Sequence, residues 1–67
     1  MTLLVKRRVL LIEAHDPTLF LLAFILEREG CEILVARGHG DGLDLARRAH
    51  PHLVVIGRDV AGADRLE

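Results

Sequence analysis

The chain has 67 residues, 51% hydrophobic and 28% charged, a globular composition long enough for one small domain. Nine Lys and Arg against ten Asp and Glu leave a formal charge of −1, without the basic excess of a polyanion binder. Two Phe with no Trp or Tyr exclude a base-stacking platform, so direct nucleic-acid contact by this segment is not expected. A single Cys excludes an internal disulfide and a multi-cysteine zinc site, and fits a reducing, cytoplasmic setting.

The N-terminal MTLLVKRRVLLIE places a basic cluster before an apolar run. Glu13 stops that run too early for a signal sequence. Lys6, Arg7 and Arg8 read as a solvated lead-in to a strand. The apolar stretch from Leu19 to Leu26 is far short of the roughly 20 residues that span a bilayer, so no membrane segment is expected.

Val9–Ile12 is a branched apolar run suited to a strand buried on both faces. Asp16 and Pro17 read as the cap and first-turn proline of a helix over 17–29, closed by Gly30. Cys31–Ala36 forms the second strand, with Cys31 a small buried hydrophobe. Gly38, Gly40 and Gly42 read as a loosened loop in which Asp41 caps a short second helix. That helix carries Leu43, Leu45, Ala46 and Ala49 and stops before His50-Pro51. Leu53–Ile56 is the third strand. The alternation predicts βαβαβ with right-handed crossovers and a parallel sheet.

Ligands bind at the C-terminal edge of such sheets, where Glu13, His15, His39 and Asp59 all fall. Two imidazoles and two carboxylates have the chemistry to hold zinc, but no recognised spacing supports it and solvated loop residues are the plainer reading. His50 and His52 lie at the opposite edge as loop residues. Gly38-His39-Gly40-Asp41-Gly42 follows a strand and precedes a helix, the context of a nucleotide-binding loop, and Asp59 falls about 20 residues on. The pattern is GxGxG rather than GxGxxG, and Asp41 turns negative charge toward any phosphate. A turn with close packing at Gly42 is preferred. No Ser/His/Asp or Cys/His arrangement is legible.

From Arg8 to Glu67 the chain resembles the first half of a response-regulator receiver domain. RVLLIE resembles the first strand and its acidic cluster, and LEREGCEILVA the end of the first helix with the second strand. GDGLDLARRAHPHLVVI resembles the second helix, proline and third strand, and AGADRLE the loop usually written PGMDGLE. The resemblance implies a flavodoxin-like α/β fold with parallel order 2-1-3 for the strands present. It also implies that the phosphoacceptor position is Gly57, which has no side chain, and that the Mg²⁺-binding acidic pair is Glu13-Ala14. Glu13 keeps one carboxylate, a vestigial metal ligand, whereas the Ala14 methyl cannot ligate a hard cation. Ala61 stands where the loop proline is usual, and the family's hydroxyl residue and lysine belong to later strands. The expectation is a pseudo-receiver, not an enzyme, with no cofactor. The alternative is a phospho-accepting fragment that uses Asp59, two residues beyond the usual position, with Mg²⁺.

A receiver turns toward its sheet the stripe occupied here by Thr18, Leu21, Leu22, Ile25 and Leu26. Helical spacing then puts Leu19, Phe20, Ala23 and Phe24 on the flank and far side, where receivers carry charge. These four are expected to form a protein-interaction surface, with cover by Met1–Val5 as the alternative. The Leu53–Ile56 strand is expected to be an open hydrophobic edge. Residues 1–67 are therefore expected to be an incomplete receiver-like domain with a natural start at Met1 and a truncation at Glu67. It should complete itself as a homo-oligomer or with its missing half.

Overall fold

A computed structural model describes residues 6–58. The chain runs β1 (Arg8–Ile12), α1 (Asp16–Arg28), β2 (Glu32–Ala36), α2 (His39–Ala49) and β3 (Leu53–Ile56). The strands form one parallel sheet of order β2-β1-β3, the order implied by the flavodoxin-like resemblance. Val9 lies opposite Ile33 and Leu53, and Ile12 opposite Ala36 and Ile56.

The core is organised around β1 because that strand is paired on both edges and covered on both faces. Val9 and Leu11 point to one side, where Leu19, Leu22, Ala23 and Leu26 of α1 pack with Ile33 and Val55. Leu10 and Ile12 point to the other, against Ala36, Leu34 and the α2 residues Leu45 and Ala46. Alternation of side chains across the pleat lets an unbroken apolar run serve two helices at once. Leu10 and Leu11 are fully buried, each contributing about 1.5–3 kcal/mol of transfer free energy.

α1 begins one residue earlier than expected. His15 is the extended cap residue, without a side-chain cap bond, and Asp16 lies inside the first turn. There the Asp16 carboxylate still meets the positive end of the helix dipole. The helix ends in a Schellman arrangement: Gly30, at φ 88°, donates to the Glu27 carbonyl at 2.9 Å, and Cys31 N–H to that of Leu26 at 3.1 Å. Cys31 is thereby held in the helix stop, and β2 starts at Glu32 rather than at Cys31.

The glycine run differs more. α2 starts at His39 with Gly38 as its cap residue, so Gly40, Asp41 and Gly42 are helical and Asp41 does not cap. Gly42 is buried, and a Cβ there would come within 2.7 Å of Ile12 Cγ1. Close approach of α2 to β1 therefore requires this glycine. Helix propensity favours Gly42→Ala by about 1 kcal/mol, while overpacking costs about 1–3 kcal/mol. The net expectation is a lowered thermal midpoint, partly recovered by adding Ile12→Val, which removes the Cδ1 methyl. A stabilised Gly42→Ala protein would show that Ile12 simply gives way.

At the opposite end, His50 closes α2 in the left-handed region at φ 49°. Lys6 and Arg7 are exposed, as a solvated lead-in should be. Arg8 is instead tied down, donating to the Ala49 carbonyl at 2.6 Å and to Glu32 at 3.2 Å. His52 is more than a loop residue: its Nδ1 accepts the Arg8 backbone N–H at 2.8 Å.

Candidate functional site: the Glu13–Gly57 edge and the outer face of the first helix

The parallel ladder continues one residue beyond the strands. Glu13 N–H donates to the Ala36 carbonyl at 2.9 Å, and Gly57 N–H to that of Ile12 at 2.7 Å. These bonds bring Glu13 and Gly57 side by side at the C-terminal edge of the sheet. Glu13 is only 6% exposed. Its Oε2 accepts the His15 N–H at 3.0 Å, which holds the carboxylate across the entry to α1.

The carboxylate lies directly over Gly57. A Cβ on Gly57 would sit 2.7 Å from Glu13 Cδ and 2.9 Å from Oε2. Both are shorter than van der Waals contact, so the space of a side chain at position 57 is filled by the side chain of position 13. That Gly57 has no side chain is legible in the sequence; that Glu13 fills the space is not, because it depends on a rotamer.

The other candidate ligands diverge. Ala14 is exposed. His15 Nδ1 is 2.7 Å from Thr18 Oγ1, one turn into α1. Asp16 is ion-paired with Arg37 at the end of β2. His39 is half-buried, and its Nδ1 has no hydrogen-bond partner among the described residues. No group of three or more His, Cys, Asp or Glu that could hold a metal ion occurs among the described residues. Asp59 and the AGADRLE segment lie outside them, as do Met1–Val5. The nucleotide-type loop is the first turn of α2. Asp41 lines a shallow cavity of about 430 Å³ with Arg37, Asp44 and Arg48, where charges of both signs offset each other.

The expected orientation of α1 requires correction. Leu19 is buried and Ala23 packs against the core, so neither belongs to an interaction surface. Leu21 and Ile25, expected to face the sheet, are 59% and 46% exposed. Phe20 and Phe24 are exposed as expected, at 65% and 57%. The inward stripe is Leu19, Leu22, Ala23 and Leu26; the outward one is Phe20, Leu21, Phe24 and Ile25. Leu22 and Leu26 face the sheet in both arrangements; in a helix apolar all round, periodicity does not decide whether Leu19 and Ala23 or Leu21 and Ile25 complete the stripe. The decision falls to size: Ala23 permits a closer approach to β1 than Ile25 in its place would.

Leu53, Val54 and Ile56 are also exposed, and among the described residues β3 pairs with β1 alone. No described helix is long and apolar enough to cross a membrane.

Neither a family model nor a solved structure matches the chain. It is similar to BvgA, a positive transcription regulator of virulence factors, from Bordetella pertussis, with 36% identity over 61 residues. The same similarity holds for BvgA of Bordetella bronchiseptica and of Bordetella parapertussis. The match takes in 90% of this chain and 29% of the relative, so the chain spans less than a third of the relatives' length.

Proposed function

We propose that this chain is the receiver-like part of a two-component-type response regulator, and that it acts as a protein-interaction module without accepting a phosphoryl group. The reading rests on the Glu13 carboxylate lying over Gly57. An acceptor carboxylate must present a free oxygen to the phosphodonor, with a cation to offset charge on the transferring group. At this edge Gly57 offers no side-chain oxygen, Glu13 is buried against it and hydrogen-bonded to His15 N–H, and Ala14 offers no carboxylate. What the domain presents to a partner is the apolar outer face of α1, and the output belongs to the assembly it joins.

Incubation with a small-molecule phosphodonor and Mg²⁺ should leave the intact mass unchanged. An added phosphoryl group that disappears in Asp59→Asn would overturn the phosphorylation-independent reading and make Asp59 the acceptor.

A further inference from the structure

The N-terminal end of the sheet is closed by a side chain as well as by the strand ladder. His52, the residue ahead of β3, engages both backbone polar groups of Arg8 at the start of β1. Its N–H donates to the Arg8 carbonyl at 2.8 Å, and its ring Nδ1 accepts the Arg8 N–H at 2.8 Å. From that anchored backbone the Arg8 side chain reaches the Ala49 carbonyl at the end of α2, at 2.6 Å, and Glu32 at the start of β2, at 3.2 Å. One imidazole therefore stands at the junction of three strands and a helix.

We infer that His52 is a pH-sensitive latch on this end of β1: the neutral ring holds Arg8 against β3, and the protonated ring releases it. An Nδ1 that accepts a hydrogen bond carries no proton, so the neutral ring is the Nε2–H tautomer. Uptake of a second proton makes both ring nitrogens donors. The Nδ1–H then meets the Arg8 N–H, donor against donor, and turning the ring over restores no acceptor. Histidine is the side chain that ordinarily changes charge between about pH 5 and 8. The latched form excludes the second proton while the unfolded chain takes it up, so stability falls as pH falls through this range.

The charges around the junction give the imidazolium no substitute for the lost bond. Glu32 is committed to the Arg8 guanidinium and lies on β2, with β1 between it and β3. Glu27 and Glu29 stand at the end of α1 on either side of Arg28. Lys6 and Arg7 precede β1, and Arg47, Arg48 and the exposed His50 close α2, with Arg48 paired to Asp44. Among the described residues His52 has no carboxylate partner, and cations outnumber carboxylates at this end of the sheet. His15 and His39 begin the two helices at the opposite edge, so neither shares the proton.

Two measurements test this on the 67-residue chain. The first compares the wild type with His52→Asn in urea unfolding at about pH 7.5 and about pH 5.5. Asn carries its Oδ1 as many bonds from Cα as the imidazole Nδ1, so it keeps an acceptor for the Arg8 N–H and cannot titrate. His15, His39, His50 and the carboxylates are common to both chains and cancel in the comparison. Between the two pH values the wild type should lose about three- to ten-fold more of its folding equilibrium constant than the Asn variant. An equal or weaker pH dependence in the wild type overturns the latch. The second measurement needs no variant and stands if His52→Asn fails to fold. With isotope-labelled histidine, nitrogen magnetic resonance should show His52 as the Nε2–H tautomer at about pH 7.5, and the Arg8 amide proton should move with the midpoint of the ring. An Nδ1–H tautomer, or an Arg8 amide that does not follow the ring, overturns the latch.

Discussion

Gly57→Asp should yield a less stable protein that still takes up no phosphoryl group. The new side chain would enter space held by the Glu13 carboxylate, so Glu13 must turn away. Turning away gives up the bond from His15 N–H, a hydrogen bond to a charged group worth about 1.5–3 kcal/mol. Two neighbouring carboxylates then repel each other, and the methyl of Ala14 next to Glu13 supplies no further ligand to recruit a cation that would offset them. The expected loss is about 2–4 kcal/mol, large against the roughly 5–15 kcal/mol that domains retain. Gly57→Ala isolates the steric part and should cost about 1–3 kcal/mol in urea unfolding. In a Glu13→Ala background the same Gly57→Ala change should fall within about 0.5 kcal/mol of neutral, a coupling that shows the two positions share one space. A Gly57→Asp protein as stable as the parent, with a phosphoryl adduct, would mean that Glu13 moves freely and that the edge keeps receiver chemistry.

Sequence reading went furthest where one pattern had one physical solution. The run Val9–Ile12 is too short for a helix and too apolar for a half-exposed strand, which leaves a parallel strand buried on both faces; the order 2-1-3, which the sheet has, was implied by the receiver resemblance alone. Gly30 and Gly42 were legible for the same reason. One sits at a left-handed φ after a helix, and the other where α2 meets Ile12. Reading stopped where two solutions had the same periodicity. In α1, Leu19 with Ala23 and Leu21 with Ile25 are equally apolar pairs, and the sheet chose the pair with the smaller profile. The glycine run failed differently: three glycines argue for a loop by propensity, but Gly38 caps α2 and the remaining two lie in its first turns. At the candidate site, the missing side chain of Gly57 is visible in the sequence. The occupation of its space by Glu13 is not, because a buried side chain's direction depends on its neighbours in space.

Removing side chain from the middle strand should unfold the protein, whereas the same operation on β3 should scarcely register. Leu11 is fully buried, packed with Leu19, Leu22, Ala23 and Leu26 on the sheet face that α1 covers. Leu11→Ala leaves a cavity there, with an expected cost of about 2–5 kcal/mol. A 67-residue chain buries only about 60% of its unfolded surface, so this loss should remove the cooperative unfolding transition at room temperature altogether. Val54 is 40% exposed on the strand that pairs with β1 alone among the described residues. Val54→Thr, which keeps the shape and β-branching, should shift the unfolding midpoint by no more than about 0.5 kcal/mol. The contrast is measured in dilute solution, at protein concentrations over which the midpoint does not change. There a costly Val54→Thr would show that this face of β3 is covered within a single copy, by residues outside 6–58. If the cost instead appears only as protein concentration rises, this face of β3 is buried between copies.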